Sequence, residues 1–389
     1  MPTDRTLMVA RPPDTTGSHG TVPRLDRALD SLPVAALHAD GRTLIRALGE
    51  AGVVADCLAG PDPRQPLRLP LLHTVLGGLT GRVSHGAQLA CLLHLSTLTP
   101  LTLRLAGEER ADPLIRGRAT AALAATDSGA AGSDLPGLTT EVRRHGEDLV
   151  LDGHKTWITG AQWADHFLVL ARHRPGRHFS DFCLVMVPAD APGVSVEPIG
   201  TPVMAGAGLG SLALDGVRLP ARAMLGRPGR GMVAFTEQMG AERLAGGMWT
   251  ASLCRRLLAA AADDASRRHL GGRALWAESA VRQRLAVLFA RVRLLEALVD
   301  DITARTTATG RFPLADTAVV KATVGPLAAD VADTCLRLAG AAGLTADSDL
   351  LRTAQDVRTF AVAGGSTETM LELIAEGLPA AAGRAEPRP

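Results

Sequence analysis

Between residues 35 and 118, apolar residues recur at three- and four-residue spacing, in runs such as "ALHADGRTLIRALGEAGVV" and "HGAQLACLLHLSTLTPLTLRLAG". That period predicts helices with one buried face. The pattern changes near Ala121. From there to about Leu225 the apolar runs are short and alternating: "LVLDGHKTWITG", "HFLVLAR", "FCLVMVPAD", "GVSVEPIG" and "SLALDGVRLP". These predict strands, with Asp152-Gly153, Pro192-Gly193 and Asp215-Gly216 as turns between them. From Gly231 the helical period returns and predicts long helices over 231–266, 276–308 and 314–340. Gly-rich breaks fall at Gly271-Gly272, 339–343 and 363–366. A helical–sheet–helical order predicts an α+β protein. Its parts are a disordered segment over 1–22, a helical domain over 23–120 and a middle β domain over 121–228. A helical bundle over 229–380 and a flexible tail over 381–389 complete it.

Composition narrows the class. The 389 residues carry 41 Lys+Arg against 40 Asp+Glu, so no general attraction to nucleic acid or an anionic membrane is expected. The most apolar stretch, 86–106, contains His94 and Pro100 and reads as core helices interrupted at those residues rather than as a membrane span. The N-terminus lacks the apolar run of a secretory signal. Cys57, Cys91, Cys183, Cys254 and Cys335 are scattered, without metal or disulfide spacing. They point to a reducing, cytoplasmic setting and no metal site.

Several stretches suggest chemistry. "MAGAGLG" (204–210) does not give the dinucleotide spacing and precedes a strand-like run, whereas a pyrophosphate loop needs a helix N-terminus after it. "HRPGRH" (173–178) reads as a hairpin tip, and no nucleophile elbow is present. "MGAERLAGG" (239–247) sets Glu242 and Arg243 side by side among small residues, as if room were left for something other than protein. "ATDSGAAGSD" (125–134) brings backbone N–H groups and the Thr126 and Ser133 hydroxyls toward a ligand. "GHKTWIT" (153–159) sets Trp157 and Thr159 two apart, on one face if this is a strand. A flat aromatic beside a hydroxyl donor suits a planar heteroaromatic cofactor.

The last two stretches resemble the "TEPxAGSD" and "KxWIT" segments of the acyl-CoA dehydrogenase family of flavoproteins. Further matches follow in order over roughly residues 40–378. They are "LALDGVRLPARAMLGRPGRG" (212–231), "RRHLGG" (267–272), "LRLAGAAGL" (336–344) and "QDVRTFAVAGGSTETMLELI" (355–374). The resemblance implies an N-terminal helical domain, a middle β-barrel-like domain and a C-terminal four-helix bundle.

It also implies FAD and α,β-dehydrogenation of an acyl thioester. In many members the α-proton base is a Glu in the C-terminal motif, where this chain has Gly364. A branch resembling isovaleryl- and long-chain acyl-CoA dehydrogenases carries its base on a helix, immediately before an Arg. Glu242-Arg243 matches that placement in order and spacing between Gly231 and Arg268. By resemblance, Glu242 takes the α-proton, a role that burial against flavin and acyl chain would suit. Arg243 supports it beside the substrate. The Gly364 N–H contacts the thioester carbonyl, with Gly365 next to the substrate. Thr159 and Trp157 meet the flavin ring, Thr126 its pyrimidine edge, and Ser133 the cofactor or thioester. Arg268 meets the FAD pyrophosphate of a neighbouring subunit. Gly340, Ser366 and Glu368 complete the ADP site, so a homodimer or homotetramer is expected.

The thioester carrier is CoA or a carrier protein of secondary metabolism, and an electron-transfer flavoprotein or another acceptor takes the electrons. Departures from the family pattern include the extra residue in "TDSGAAGSD", Gly271 in place of Phe, Ser366 in place of Thr and Gln355 in place of Arg. Two alternatives remain at this level. One is a flavin-dependent monooxygenase or N-hydroxylase on the same fold; the other is a non-catalytic flavin- or carrier-binding homologue.

Overall fold

The computed structural model describes residues 20–58, 60, 66–129, 132 and 134–378. The expectations for residues 1–19, for the 381–389 tail and for Ser133 lie outside the described residues. Contacts group the chain into two compact units, residues 14–242 and residues from Arg243 onward.

The first unit opens with helices α1 (Thr21–Asp30), α2 (Val34–Ala39), α3 (Gly41–Glu50), α4 (Val53–Leu58), α5 (Leu69–Leu79) and α6 (His85–Leu93). A π-helical stretch, His94–Leu98, leads into α7 (Thr99–Ala106), and α8 (Glu108–Ile115) follows. Thr21 and Val22 therefore belong to α1 rather than to a lead-in. Side-chain oxygens satisfy orphan N–H groups at helix starts: Asp40 accepts from Arg42 N at 2.8 Å, and Ser84 from Ala87 N at 3.2 Å. The expected interruption of 86–106 does not occur. The π turn carries the chain through His94 without a break, and Pro100 falls in the first turn of α7, where a missing N–H costs least. Residues 85–106 are long and apolar enough to cross a membrane, yet most of the stretch is buried inside the fold.

Eight strands follow: β1 (Ala121–Ala124), β2 (Glu141–His145), β3 (Asp148–Ile158), β4 (His166–Arg172), β5 (Phe182–Pro188), β6 (Val194–Pro198), β7 (Gly210–Pro220) and β8 (Met224–Leu225). They form one mixed sheet in the order β6-β7-β3-β2-β4-β5-β8, with β1 parallel to β4. Asp152-Gly153 and Asp215-Gly216 are not turns. They lie opposite each other inside β3 and β7, at a register shift between Leu151↔Val217 and Gly153↔Leu214. The Gly216 N–H donates to Asp152 Oδ1 at 2.8 Å across this bulge. Such a bulge sharpens the local twist without ending a strand. "HRPGRH" does connect two antiparallel strands, β4 and β5.

One face of the sheet buries Val142, Leu151, Phe167, Val185 and Leu212. The other buries Leu168, Leu170, Phe182 and Leu184 together with Leu98 and Leu101. Met232, Phe235 and Met239, from the start of helix α9 (Gly231–Arg267), join this second cluster.

The second unit holds the rest of α9, a hairpin of β9 (His269–Leu270) and β10 (Arg273–Ala274), and helices α10 (Ser279–Thr309), α11 (Leu314–Ala339), α12 (Asp349–Asp356) and α13 (Thr367–Gly377). A Cβ on Gly247 would stand 2.6 Å from Val320 Cγ1 and 2.9 Å from Val299 Cγ2, so α9 approaches α10 and α11 closely. Arg255 Nε donates to Glu296 Oε1 at 2.9 Å along the same packing. Helix α13 packs on α11 as a fourth rod.

Candidate functional site

In the first unit, the loop after β1 is sewn to the last residues of β3. Thr156 N donates to Thr126 O at 3.0 Å, Ser128 N donates to His154 O at 2.9 Å, and Asp127 bridges Lys155. Beneath this seam lies an ion pair that sequence reasoning missed. Lys155 Nζ sits 2.6 Å from Asp127 Oδ1, with side-chain exposures of 0% and 1%. The same ammonium donates to Ala125 O at 2.9 Å. Asp127 also accepts from the Thr139 hydroxyl at 2.9 Å, the Thr140 N–H at 2.9 Å, the Thr140 hydroxyl at 2.7 Å and the Thr139 N–H. Burial alone would push the Asp127 carboxyl up, but the Lys155 charge and the hydrogen bonds from Lys155 and Thr140 outweigh it and hold it below the usual carboxylate range.

Trp157, two residues after Lys155, is 62% exposed, with φ at 56°. A bulky residue in the left-handed region is a genuine outlier. It also breaks the alternation that would have placed Trp157 and Thr159 on one face. Register shifts between Lys155 and Ile158, and Thr159, half-buried, lies just beyond the end of β3. Thr126 is half-buried as well. The structure thus brings Thr126 together with the Trp157 turn.

Glu242 is half-buried on α9, one helical turn beyond Gln238. The Gln238 amide donates to Ser96 O in the π turn at 2.5 Å, and Arg104 Nη1 donates to Glu237 Oε2 at 3.1 Å. These contacts fix the rotation of α9 just before Glu242. Part of the small-residue pattern around it has a packing reason, because Gly247 is needed where α9 meets Val299 and Val320. Gly246, by contrast, has open space where a Cβ would stand.

In the second unit, half-buried Arg243 lies beside the Gly-Gly turn, its Nη2 3.7 Å from where a Gly365 Cβ would stand. Gly364 and Gly365 have φ of 72° and 100°. Ser366 caps α13, its Oγ accepting from Thr369 N at 3.2 Å, and exposed Glu368 stands in the first turn. Arg268 donates to Asp264 Oδ2 at 3.0 Å and to Leu338 O, with Nη2 3.5 Å from the Cβ position of Gly340. The four residues expected near pyrophosphate and ADP therefore form two groups, Arg268 with Gly340, and Ser366 with Glu368 beside the Gly-Gly turn. A separate cleft between α1 and α3, lined by Arg24, Arg27, Thr43, Arg46 and Glu50 among others, includes none of these residues.

Two family models match the chain: "Acyl-CoA dehydrogenase, middle domain" over residues 122–217 and "Acyl-CoA dehydrogenase, C-terminal domain" over residues 229–378. The chain is 31% identical over 348 residues to the acyl-[acyl-carrier-protein] dehydrogenase MbtN of Mycobacterium tuberculosis, covering 87% of this chain and 86% of that one. The chain belongs to the acyl-CoA dehydrogenase family. It is also 27% identical over 293 residues to the mitochondrial long-chain specific acyl-CoA dehydrogenase of Rattus norvegicus, covering 73% and 67% of the two chains. Among solved structures, the prolyl acyl carrier protein oxidase AnaB superposes with a TM-score of 0.84 at 22% identity, covering 92% of this chain and 98% of that one.

These acyl-CoA and acyl-carrier-protein dehydrogenases are oxidoreductases acting on CH–CH bonds, and the acyl-CoA dehydrogenase fold has helical outer regions and a sheet between them. The residues present fit the family's FAD. An indole held exposed against its backbone preference, beside half-buried Thr126 and Thr159, suits a flat ring. The Arg268 guanidinium suits a diphosphate.

Proposed function

We propose that the chain is an FAD-dependent acyl-thioester dehydrogenase with Glu242 as α-proton base, acting on an acyl group carried by a carrier protein. The observation that carries the reading is the backbone at Gly364, with φ at 72°. An L-residue there is disfavoured by about 1–2 kcal/mol, so the alternative position for a catalytic carboxylate lacks one by identity and has a backbone that suits glycine better than Glu. Glu242, half-buried on a helix and followed by Arg243, is the carboxylate that remains in the family's frame.

The roles follow from each group's chemistry. The Gly364 N–H donates to the thioester carbonyl and stabilises the charge that develops there as the α-proton leaves. Glu242 accepts that proton. Arg243, beside Gly365, fixes the turn that presents this donor. Trp157 and Thr159 hold the flavin ring, and Thr126 its pyrimidine edge. Bound FAD supplies the two-electron acceptor for the β-hydrogen and its electron pair. Arg268 holds the pyrophosphate of a neighbouring subunit's FAD, which makes the protein a homodimer or homotetramer. The names of MbtN and AnaB favour a carrier protein over free CoA as the thioester carrier. An electron-transfer flavoprotein is the proposed electron acceptor.

The test is an anaerobic titration of the purified flavoprotein with short, branched, long and aminoacyl thioesters, each as CoA and as carrier-protein forms. One carrier-bound thioester should bleach the oxidised flavin, and Glu242→Gln should slow that bleaching by roughly 10²–10⁴-fold. Flavin that no thioester bleaches, but that a flavin reductase and oxygen turn over on another substrate, would replace this reading with a monooxygenase.

A further inference from the structure

We propose that Asp127 and Lys155 are positioning residues for the flavin ring, a buried ion pair that imposes the left-handed turn of Trp157 and holds Thr126 against it. The inference rests on the FAD reading above but concerns residues to which that reading assigns no part.

Three observations meet at this pair. The first is its place in the chain: Asp127 follows Thr126 directly, and Lys155 precedes Trp157 by two residues. The pair therefore clamps both ring-facing segments from beneath. The second is its saturation. Lys155 Nζ is shared between Asp127 Oδ1 at 2.6 Å and Ala125 O at 2.9 Å, and Asp127 draws in both N–H groups and both hydroxyls of Thr139 and Thr140. Residues 125–127, 139–140 and 155 are thus tied at one point, the base of the loop leaving β1. A lysine with no exposed surface is held only when its charge is paired and hydrogen-bonded. The third is the strain immediately downstream. A non-glycine residue at positive φ persists where its surroundings over-determine it. Here Lys155 is pinned on one side of Trp157 and Ile158 pairs with Gly210 on the other, while Thr156 is held by Thr126 O at 3.0 Å and its hydroxyl lies 3.1 Å from Ser211 Oγ. With both flanks fixed and a register shift between them, Trp157 takes up the irregularity and its indole stays exposed.

A purely structural pair and a positioning pair respond differently to removal of both charges. Deleting one partner leaves an uncompensated buried charge, whereas deleting both removes that penalty. The experiment compares the full-length parent with Lys155→Met, Asp127→Asn, the double variant and the milder Thr140→Val. It measures the Tm of the flavin-free chain, the Kd for FAD by fluorescence quenching, and the flavin absorption band.

Lys155→Met should lower Tm by about 5–10 °C and weaken FAD at least tenfold. The double variant should regain much of the Tm yet keep the weakened FAD and an altered flavin band, because the turn is no longer imposed. Thr140→Val, which removes a single hydrogen bond to Asp127, should weaken FAD a few-fold with little loss of Tm. It remains readable if Lys155→Met does not fold. A double variant or Thr140→Val that binds FAD with the parent's Kd and spectrum would overturn the proposal. A parent that binds FAD but is bleached by no thioester would overturn the dehydrogenase reading alone, since the FAD measurements on the variants do not depend on turnover.

Discussion

Trp157 and Asp127 are one residue type each in a long chain, yet each carries information that its neighbours do not. Trp157 is exposed and conformationally strained, two properties that selection for stability alone would remove. Asp127 is the opposite, buried and saturated with donors. Burial raises its carboxyl; the Lys155 charge and the hydrogen bonds from Lys155 and Thr140 then bring it down to about 2. A carboxyl depressed in the folded state stabilises it above the unfolded value near 3.8, and the contribution is lost as pH falls through the folded value. The parent should therefore lose on the order of 2 kcal/mol between pH 4 and 2 from this group, part of its acid-unfolding limb. In Asp127→Asn, denaturant unfolding at stepped pH should show a shallower decline over that window. An unchanged slope would mean that the carboxylate is not held by these partners.

At the scale of elements, the long helices and the Gly-rich breaks between them were legible, whereas the inside of the sheet and the stretch through His94 were not. The period that predicts 231–266, 276–308 and 314–340 corresponds to Gly231–Arg267, Ser279–Thr309 and Leu314–Ala339, because one buried stripe repeats for many turns in each. The Asp-Gly pairs misled because the same dipeptide serves a tight turn and a bulge. Only the facing strand, far off in sequence, decides between them. His94 misled in a related way: a polar residue in an apolar run reads as a break, whereas here its ring is buried with Nε2 at 3.0 Å from Leu114 O. Burial lowers its pKa to about 4, so it sits neutral in the core. Adjacent glycines on α9 make the helix-packing argument testable. Gly247→Ala puts a methyl within 2.6 Å of Val320 Cγ1 and should cost roughly 1–3 kcal/mol from overpacking. Gly246→Ala, with nothing within 4 Å of its Cβ position, should gain up to about 1 kcal/mol from helix propensity. Thermal melts of the two variants should therefore move in opposite directions, and a common shift would refute the close approach of α9 to α10 and α11.

For the whole molecule, the order of helical, sheet and helical regions and the family could be read from one sequence, because several short motifs fall in one order. The Asp127–Lys155 hub could not. A lysine in an alternating strand reads as a solvated face, and its partner lies across a loop whose path only the fold determines. The five cysteines offer a way to test the two compact units as units. Cys57, Cys91 and Cys183 belong to residues 14–242, while Cys254 and Cys335 belong to the unit from Arg243 onward; all five are free and buried. Burial pushes the Cys57, Cys183 and Cys335 thiols up to about 12, and those of Cys91 and Cys254 higher still. At pH 8 the native protein should therefore present almost no thiolate to a disulfide reagent, whereas the denatured chain should titrate all five. Brief alkylation at stepped denaturant, read site by site by mass spectrometry, then follows each core separately. Cys57, Cys91 and Cys183 should become labelled over one transition, because the helical core around the first two and the sheet around the third lie in one contact unit. Cys254 and Cys335 should likewise become labelled over one transition, since α9 and α11 meet where Cys335 Sγ donates to Leu257 O at 3.6 Å. Labelling of Cys57 well before Cys183 would show that the N-terminal helices open independently of the sheet, and the unit of 14–242 would then have to be divided.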